Sequence, residues 1–321
     1  MNDYPRLTSM GQFFSKTASG ASNMPTKNYN GSPELFVENY DTKTFYNTLL
    51  KTKRVFGNHF FSSIPYVLDE YVRLGTTICR YSKSKKNIYV YTLGSAEAIL
   101  ARTLTKVEPN ITTFSCSPTK ENYEVFKTDC NVKKNYFEVA PYFAITNERI
   151  KELVPNYEDF DIIMEDTTFQ MYSNNRDLQI GNVINKLKPN GIVIFLEKFQ
   201  TDSVNYNARE TQKDSLFKSQ FFPKNQILKK KQKILNTMNT EEVTLDDFQK
   251  TVKKYFSNLA ITWNSGNFSI LVASNDKQNF ETFINAMDSP YIPKEYQYLF
   301  GLPIQLIGKA RIKFRRHGHD S

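Results

Sequence analysis

The side chains able to do chemistry in this chain are few, and most stand at the ends of apolar runs. Three histidines (His59, His317, His319) and three cysteines (Cys79, Cys116, Cys130) are scattered over 321 residues. No two histidines have helical metal-ligand spacing beside an acid, and the cysteines are too few for a disulfide framework or a zinc cage. A metalloenzyme and a histidine-based hydrolase are therefore disfavoured. What remains is a row of loop positions. Gly94-Ser95 follows the run Ile88–Leu93, Cys116-Ser117 closes Ile111–Cys116, Glu138 lies in Tyr136–Val139, and Glu165-Asp166 ends the run that starts at Phe160. A glycine directly after a strand lets the backbone pass close under a ligand. Acids at a strand end can hold an amino group or take a proton. Each has a plainer alternative: Gly94 as an ordinary turn, Asp166 as a cap, Glu165 and Glu138 as solvated acids.

Basic residues outnumber acids 42 to 33, a net charge of +9, which favours anionic partners such as RNA or DNA. Two clusters stand out. Lys229, Lys230, Lys231 and Lys233 share a segment of helical outline and are candidates for a phosphate-contacting face. Lys309, Arg311, Lys313 and Arg315 alternate with Ala310, Ile312 and Phe314, which puts four cations on one face of an extended strand. That strand is expected to bind nucleic acid or to pair with a neighbouring chain in a homodimer or larger assembly. For the lysine segment a solvated helix face is the more common explanation.

The elements that must position these residues alternate. Residues 1–32 are rich in Ser, Thr, Asn, Gly and Pro and read as a mobile arm. Apolar spacing predicts two helices between Pro33 and Ser82, broken at Gly57. Strands follow at Ile88–Leu93, Ile111–Cys116, Tyr136–Val139, Phe160–Glu165 and Ile192–Leu196, with helical segments between them, the last over Arg176–Leu187. Leu259–Trp263 and Phe268–Ala273 flank Asn264-Ser265-Gly266-Asn267 and read as a β-hairpin. Residues 275–321 form a basic C-terminal extension. With 40% hydrophobic and 23% charged residues, the chain is neither disordered nor membrane-spanning, and a cytoplasmic protein is expected. Its wealth of Lys, Asn, Ile, Tyr and Phe fits an AT-rich genome such as a phage's.

A doubly wound parallel sheet closed by an antiparallel hairpin is the Rossmann-like fold of class I S-adenosylmethionine-dependent methyltransferases, expected over residues 33–274. Within that class the chain resembles the carboxy-S-adenosylmethionine synthases of tRNA wobble-uridine modification. The resemblance is carried by Thr168-Phe169-Gln170-Met171, Leu187-Lys188-Pro189-Asn190-Gly191, Glu197-Lys198-Phe199, Phe217-Lys218, Asn236-Thr237-Met238 and Gly266-Asn267-Phe268, with Tyr91-Thr92-Leu93-Gly94 and Phe61-Ser62 in the first half. It implies S-adenosylmethionine as cofactor, with Phe61, Gly94, Ser95, Cys116, Ser117, Glu138 and Asn239 around it and Glu165 and Asp166 as catalytic candidates. The chain departs from the family's pattern at Thr92, Ala98, Cys116 and Asn239. Where strand two should end in an acid for the ribose hydroxyls stands a thiol, which leaves Glu97 or Ser117 to compensate. Where an arginine should grip the extra carboxylate of the modified cofactor stands an asparagine, which cannot neutralise it. The expected function is methyl transfer to an unknown acceptor, RNA among the candidates. The alternatives are a catalytically degenerate fold serving as an interaction module in a larger assembly, and the synthase proper.

Overall fold

A computed structural model describes residues 8–315. The first helix, α1 (Thr8–Ala18), lies in the stretch expected to be a mobile arm. After a short turn at Pro33–Leu35 come α2 (Tyr40–Thr52), α3 (Val55–Phe61) and α4 (Val67–Ser82). The helical break predicted at Gly57 is not there. Gly57 sits inside α3 because its bare Cα faces Glu97; a Cβ would stand 2.9 Å from a carboxylate oxygen.

The alternating part runs β1 (Ile88–Leu93), α5 (Ile99–Val107), β2 (Ile111–Cys116), α6 (Lys120–Lys127), β3 (Asn135–Glu138), α7 (Asn147–Leu153), β4 (Phe160–Asp166), α8 (Arg176–Ile184) and β5 (Leu187–Gln200). α8 ends three residues short of expectation, and β5 starts before its Pro-Asn-Gly stretch, with Leu187 pairing to Phe160. α9 (Ser203–Gln212), α10 (Lys224–Lys230) and α11 (Asn236–Asn239) then build one wall beside β5. Two π-helical turns, Lys213–Phe217 and Lys231–Leu235, interrupt that wall. β6 (Val243–Thr244), α12 (Leu245–Val252), the hairpin β7 (Asn258–Ser265) and β8 (Phe268–Ser274), α13 (Lys277–Asn285) and β9 (Ile304–Ile307) complete the chain.

The sheet order is β3-β2-β1-β4-β5-β8-β7-β9, with β6 pairing β5 off this path. β3 to β5 are parallel neighbours, and β8 and β7 are antiparallel. That reversed closing pair defines the class I methyltransferase fold. Trp263 and Phe268 both belong to the sheet, opposite Ile270 and Ser265. The extension beyond residue 275 is tied to the same layers. β9 pairs with β7, and residues 309–315 run extended beside α13 outside any ladder, their amides bonded to Glu281, Asn285 and the Met287 carbonyl. Lys309, Arg311, Lys313 and Arg315 are exposed while Ala310, Ile312 and Phe314 pack on the core, so the period-two pattern serves docking on the fold.

The pleat divides the strand residues between two cores. Val90, Ile162, Met164, Ile194 and Leu196 face α4, α5 and α13; Tyr91, Leu93, Phe114, Ile163 and Phe195 face the other side. Neighbouring residues on a strand point to opposite faces. This parity decides which strand-end residues can meet a ligand.

Candidate functional site

The carboxyl ends of the five parallel strands are level. Leu93 pairs with Glu165, Cys116 with Glu138 and Asp166 with Leu196. The strand order turns round between β1 and β4, and in open α/β sheets the crevice at such a point takes the ligand. Here a cavity of about 170 Å³ remains between the side chains that line it, and it opens to solvent at its mouth.

Its β2 side is formed by Ser117, Thr119 and Asn122, its floor by Thr92, Met164, Asp166 and Gln170. α3 and α4 contribute Phe60, His59 and Tyr71, and the β5 side carries Lys198, Asn239 and three further lysines. α1 roofs it. Phe13 and Phe14 pack on His59 and Phe56 of α3, Ser15 donates to Glu121 of α6 at 2.7 Å, and Met10 packs with Ile234 and Met238 beside β5. The helix thus rests on both rims. Met10, Phe13, Phe14 and Ala18 recur at helical spacing, and these contacts add to that pattern in holding so short a helix.

Of the predicted residues, Gly94, Ser95, Ser117, Asp166 and Asn239 come together at the crevice. Gly94 has φ +63°, and a Cβ there would fall 2.0 Å from Thr168 Oγ1; its bareness admits a protein side chain at close range. The same loop holds Ala96 at φ 48° and Ala98 at 54°, left-handed values that cost alanine roughly 1–2 kcal/mol each. Ser95 donates to the Thr92 carbonyl at 3.0 Å. Ser117 Oγ accepts from the Thr119 amide and from Asn122 Nδ2 at 3.2 and 3.0 Å. Asn239 Oδ1 accepts from Lys198 Nζ at 3.2 Å.

Four predicted residues turn elsewhere. Glu165 and Asp166 are consecutive on β4, so only one of them can face the crevice, and it is Asp166. Glu165 is fully buried on the opposite face, where Oε1 accepts from the Thr168 and Phe169 amides and caps the turn at Phe169–Met171. Burial and nearby Glu197 hold its carboxyl well above the usual range. Cys116 is also on the far face, 3.2 Å from the Tyr91 hydroxyl, with burial pushing its thiol up to about 11. Its register partner Glu138 pairs with Arg149 at 3.0 Å. Phe61 packs at 5.2 Å against the Tyr71 ring in the core, and its neighbour Phe60 lines the crevice instead. Glu97 does reach the crevice, but its carboxylate is engaged by the Arg54 and Phe56 amides and by Arg102 at 3.4 Å, which ties the β1 loop to α3. Glu197 and Lys198 do not pair with each other: Glu197 takes Arg176 on the far face at 2.7 Å, and Lys198 meets Glu210 and Glu242 at 3.2 and 3.1 Å.

Asp166 accepts from the Tyr71 hydroxyl through Oδ2, while Oδ1 has no partner. Burial pushes its carboxyl up to about 6 against that hydrogen bond. Asn122 Oδ1 and Gln170 Oε1 are likewise buried without a partner. Buried acceptors are usually satisfied; further vacant ones among the described residues, such as Glu165 Oε2 and Asn182 Oδ1, lie away from the crevice. Of the expected basic face, Lys229 and Lys233 are exposed and Lys231 half-buried, whereas Lys230 turns into the crevice. Sequence reasoning missed Asn122, Gln170, Tyr71, His59, Lys213 and Lys218. Strand parity would have separated Asp166 from Glu165; nothing local marks the others.

No family model and no curated protein matches the sequence. Among solved structures, the plantazolicin methyltransferase BpumL in complex with SAH is 10% identical, covering 83% of this chain and 97% of that one at a TM-score of 0.48. A putative O-methyltransferase from Nostoc punctiforme is 11% identical over 73% of this chain and 71% of its own, at 0.40. A TehB-like SAM-dependent methyltransferase from Corynebacterium glutamicum is 10% identical over 62% and 86%, at 0.38. These overlaps are loose, and the fold class stands on the strand order. No helix among the described residues is long and apolar enough to cross a membrane.

Proposed function

We propose that the crevice binds S-adenosylmethionine and that the protein is a methyltransferase. The observation that carries this reading is the set of vacant buried acceptors, Asn122 Oδ1, Gln170 Oε1 and Asp166 Oδ1, around the turning point of a class I methyltransferase sheet. Such a cofactor offers hydroxyl and amino donors and a positive charge, which these three acceptors can receive. Its sulfonium supplies an already activated methyl group. The chain's part is to bind, align and keep water out. Asn122, with Ser117 beside it, stands where ribose hydroxyls would be received. Asp166 answers a positive charge, with Tyr71 fixing its orientation, and α1 closes the site over both substrates.

Equilibrium titration with S-adenosylmethionine and S-adenosylhomocysteine tests the reading. Binding of both is expected, with Asn122→Ala and Gln170→Ala weakening it by about 1–2 kcal/mol each, the worth of a hydrogen bond to a buried group. No binding at millimolar ligand removes the reading. One observation favours a second: with Cys116 turned away and Glu97 engaged, no free acid stands at the end of β2. A fold retained as a non-catalytic interaction module would show that same silence in the titration.

A further inference from the structure

We propose that the β5 side of the crevice is an anion subsite, in which Lys213, Lys218 and Lys230 receive a carboxylate or phosphate group carried by the methyl acceptor. Its role as an acceptor site rests on the methyltransferase reading above.

Position comes first. Lys198 lies near the end of β5, two strands from Gly94 just after β1, or about 10 Å at the usual strand spacing. The vacant acceptors Asn122 and Asp166 lie on the β2 and β4 side of that distance. The lysines therefore face the half of the crevice left over for a second molecule.

Charge comes next. Four lysines, Lys198, Lys213, Lys218 and Lys230, line this wall against three carboxylates, Glu210, Asp214 and Glu242. Lys198 and Lys213 share Glu210, and Lys218 reaches Asp214 at 3.1 Å. Lys230 is the one left over. Its Nζ lies 2.8 Å from His59 Nε2, 3.3 Å from Ser63 Oγ and 5.5 Å from the Phe13 ring centre, and no carboxylate among the described residues lies within 4.0 Å. His59 brings no negative charge: Nδ1 lies 2.5 Å from the Asn23 carbonyl, which can only accept, so Nδ1 carries the proton and Nε2 receives Lys230. In this half-buried position, neutral partners alone disfavour the charged form of the Lys230 amine, and an anion in the wall would restore it.

The backbone is shaped for this convergence. Lys213 and Lys218 bracket the first π-helical turn, and Lys230 directly precedes the second. Such wide turns shift the helical phase and re-aim side chains, and they recur at functional sites. Burial and the neighbouring lysines hold Lys230 well below the ordinary range and Lys218 at about 8. Entry of an anion raises both, so binding takes up a proton. Because α1 roofs the crevice, the anion belongs to a small molecule.

The test uses the full chain, with inorganic phosphate and succinate titrated calorimetrically at pH 8 in buffers of different ionisation heat, with and without saturating S-adenosylhomocysteine. Expected is binding that persists beside S-adenosylhomocysteine, takes up protons, and weakens at least tenfold in Lys230→Met and in Lys218→Met, with partial recovery in Lys230→Arg. Lys230→Met removes an amine whose charged form has no acid partner, so its thermal midpoint should not fall. Binding of neither anion at millimolar concentration overturns the proposal. So does binding that both methionine variants leave unchanged, or that S-adenosylhomocysteine blocks, since the lysines would then serve the cofactor's own carboxylate. Phosphate binding lost in Lys230→Met by a protein that ignores S-adenosylhomocysteine keeps the subsite and removes only the methyltransferase reading.

Discussion

Replacing Asp166 by asparagine should make the protein more stable and a poorer binder. Burial raises its carboxyl from 3.8 to about 6, although Tyr71 donates to it. A group whose folded value stands above its unfolded value contributes fully below the unfolded value, and that contribution is lost as pH rises through the folded one. The difference is about two pH units, which at about 1.36 kcal/mol each is roughly 3 kcal/mol. Between about pH 4 and pH 7 the folded chain therefore gives up some 3 kcal/mol to keep this carboxylate charged in the crevice. Asparagine keeps the shape and can still accept from Tyr71, but it never ionises. Urea unfolding at pH 4, 6 and 8 should show Asp166→Asn equal to the parent at the acidic end and up to about 3 kcal/mol more stable at the alkaline end. Binding should move the other way. At pH 8 the variant should lose about tenfold in affinity for cationic S-adenosylmethionine and less for the uncharged sulfur of S-adenosylhomocysteine. A stability difference that stays flat with pH, or equal losses for the two ligands, would refute the reasoning.

Further expectations rest on other parts of the fold. Gly94→Ala should cost about 2–4 kcal/mol in denaturant unfolding, combining a left-handed φ with the Thr168 clash, and Thr168→Ala should recover part of it. If the two effects simply add, the close approach at that loop is not what glycine serves. Glu197→Gln strands the buried Arg176 guanidinium and should cost about 3 kcal/mol, whereas a double change to Leu and Met should recover most of it. Phe13→Ala with Phe14→Ala should raise amide exchange across residues 8–18 and speed S-adenosylhomocysteine release about tenfold, with little change in global stability; unaltered release would show that α1 does not cover the bound ligand.

The strands were readable because β-branched and aromatic runs such as Ile88–Leu93 and Ile192–Leu196 sit between clear breakers, and the Asn-Ser-Gly-Asn turn announced the reversed pair. Gly94, Ser117 and Asp166 followed from their places at strand ends. Other features were set by tertiary contact. α1 carries a helical stripe of Met10, Phe13, Phe14 and Ala18 that the Ser-, Asn- and Gly-rich composition around it hid, and it settles on the rims it covers. Gly57 reads as a breaker but is a spacer beside Glu97. Lys230 looks like its exposed neighbour Lys229, and only the π-helical turn that follows it and the aromatic wall around it turn it inward. Glu165 and Cys116 were placed by strand end without regard to face, although period two was legible in β4 and β2.

Because α1 leans on α3, α6 and the helices beside β5 at once, whatever passes its side of the mouth does so against three sets of contacts. If those eleven residues let go together, the residence time of a bound molecule follows a door as well as its grip on the floor. A tight-binding analogue and a weak one would then depart on more similar clocks than their affinities suggest, and this one helix would set the tempo of exchange.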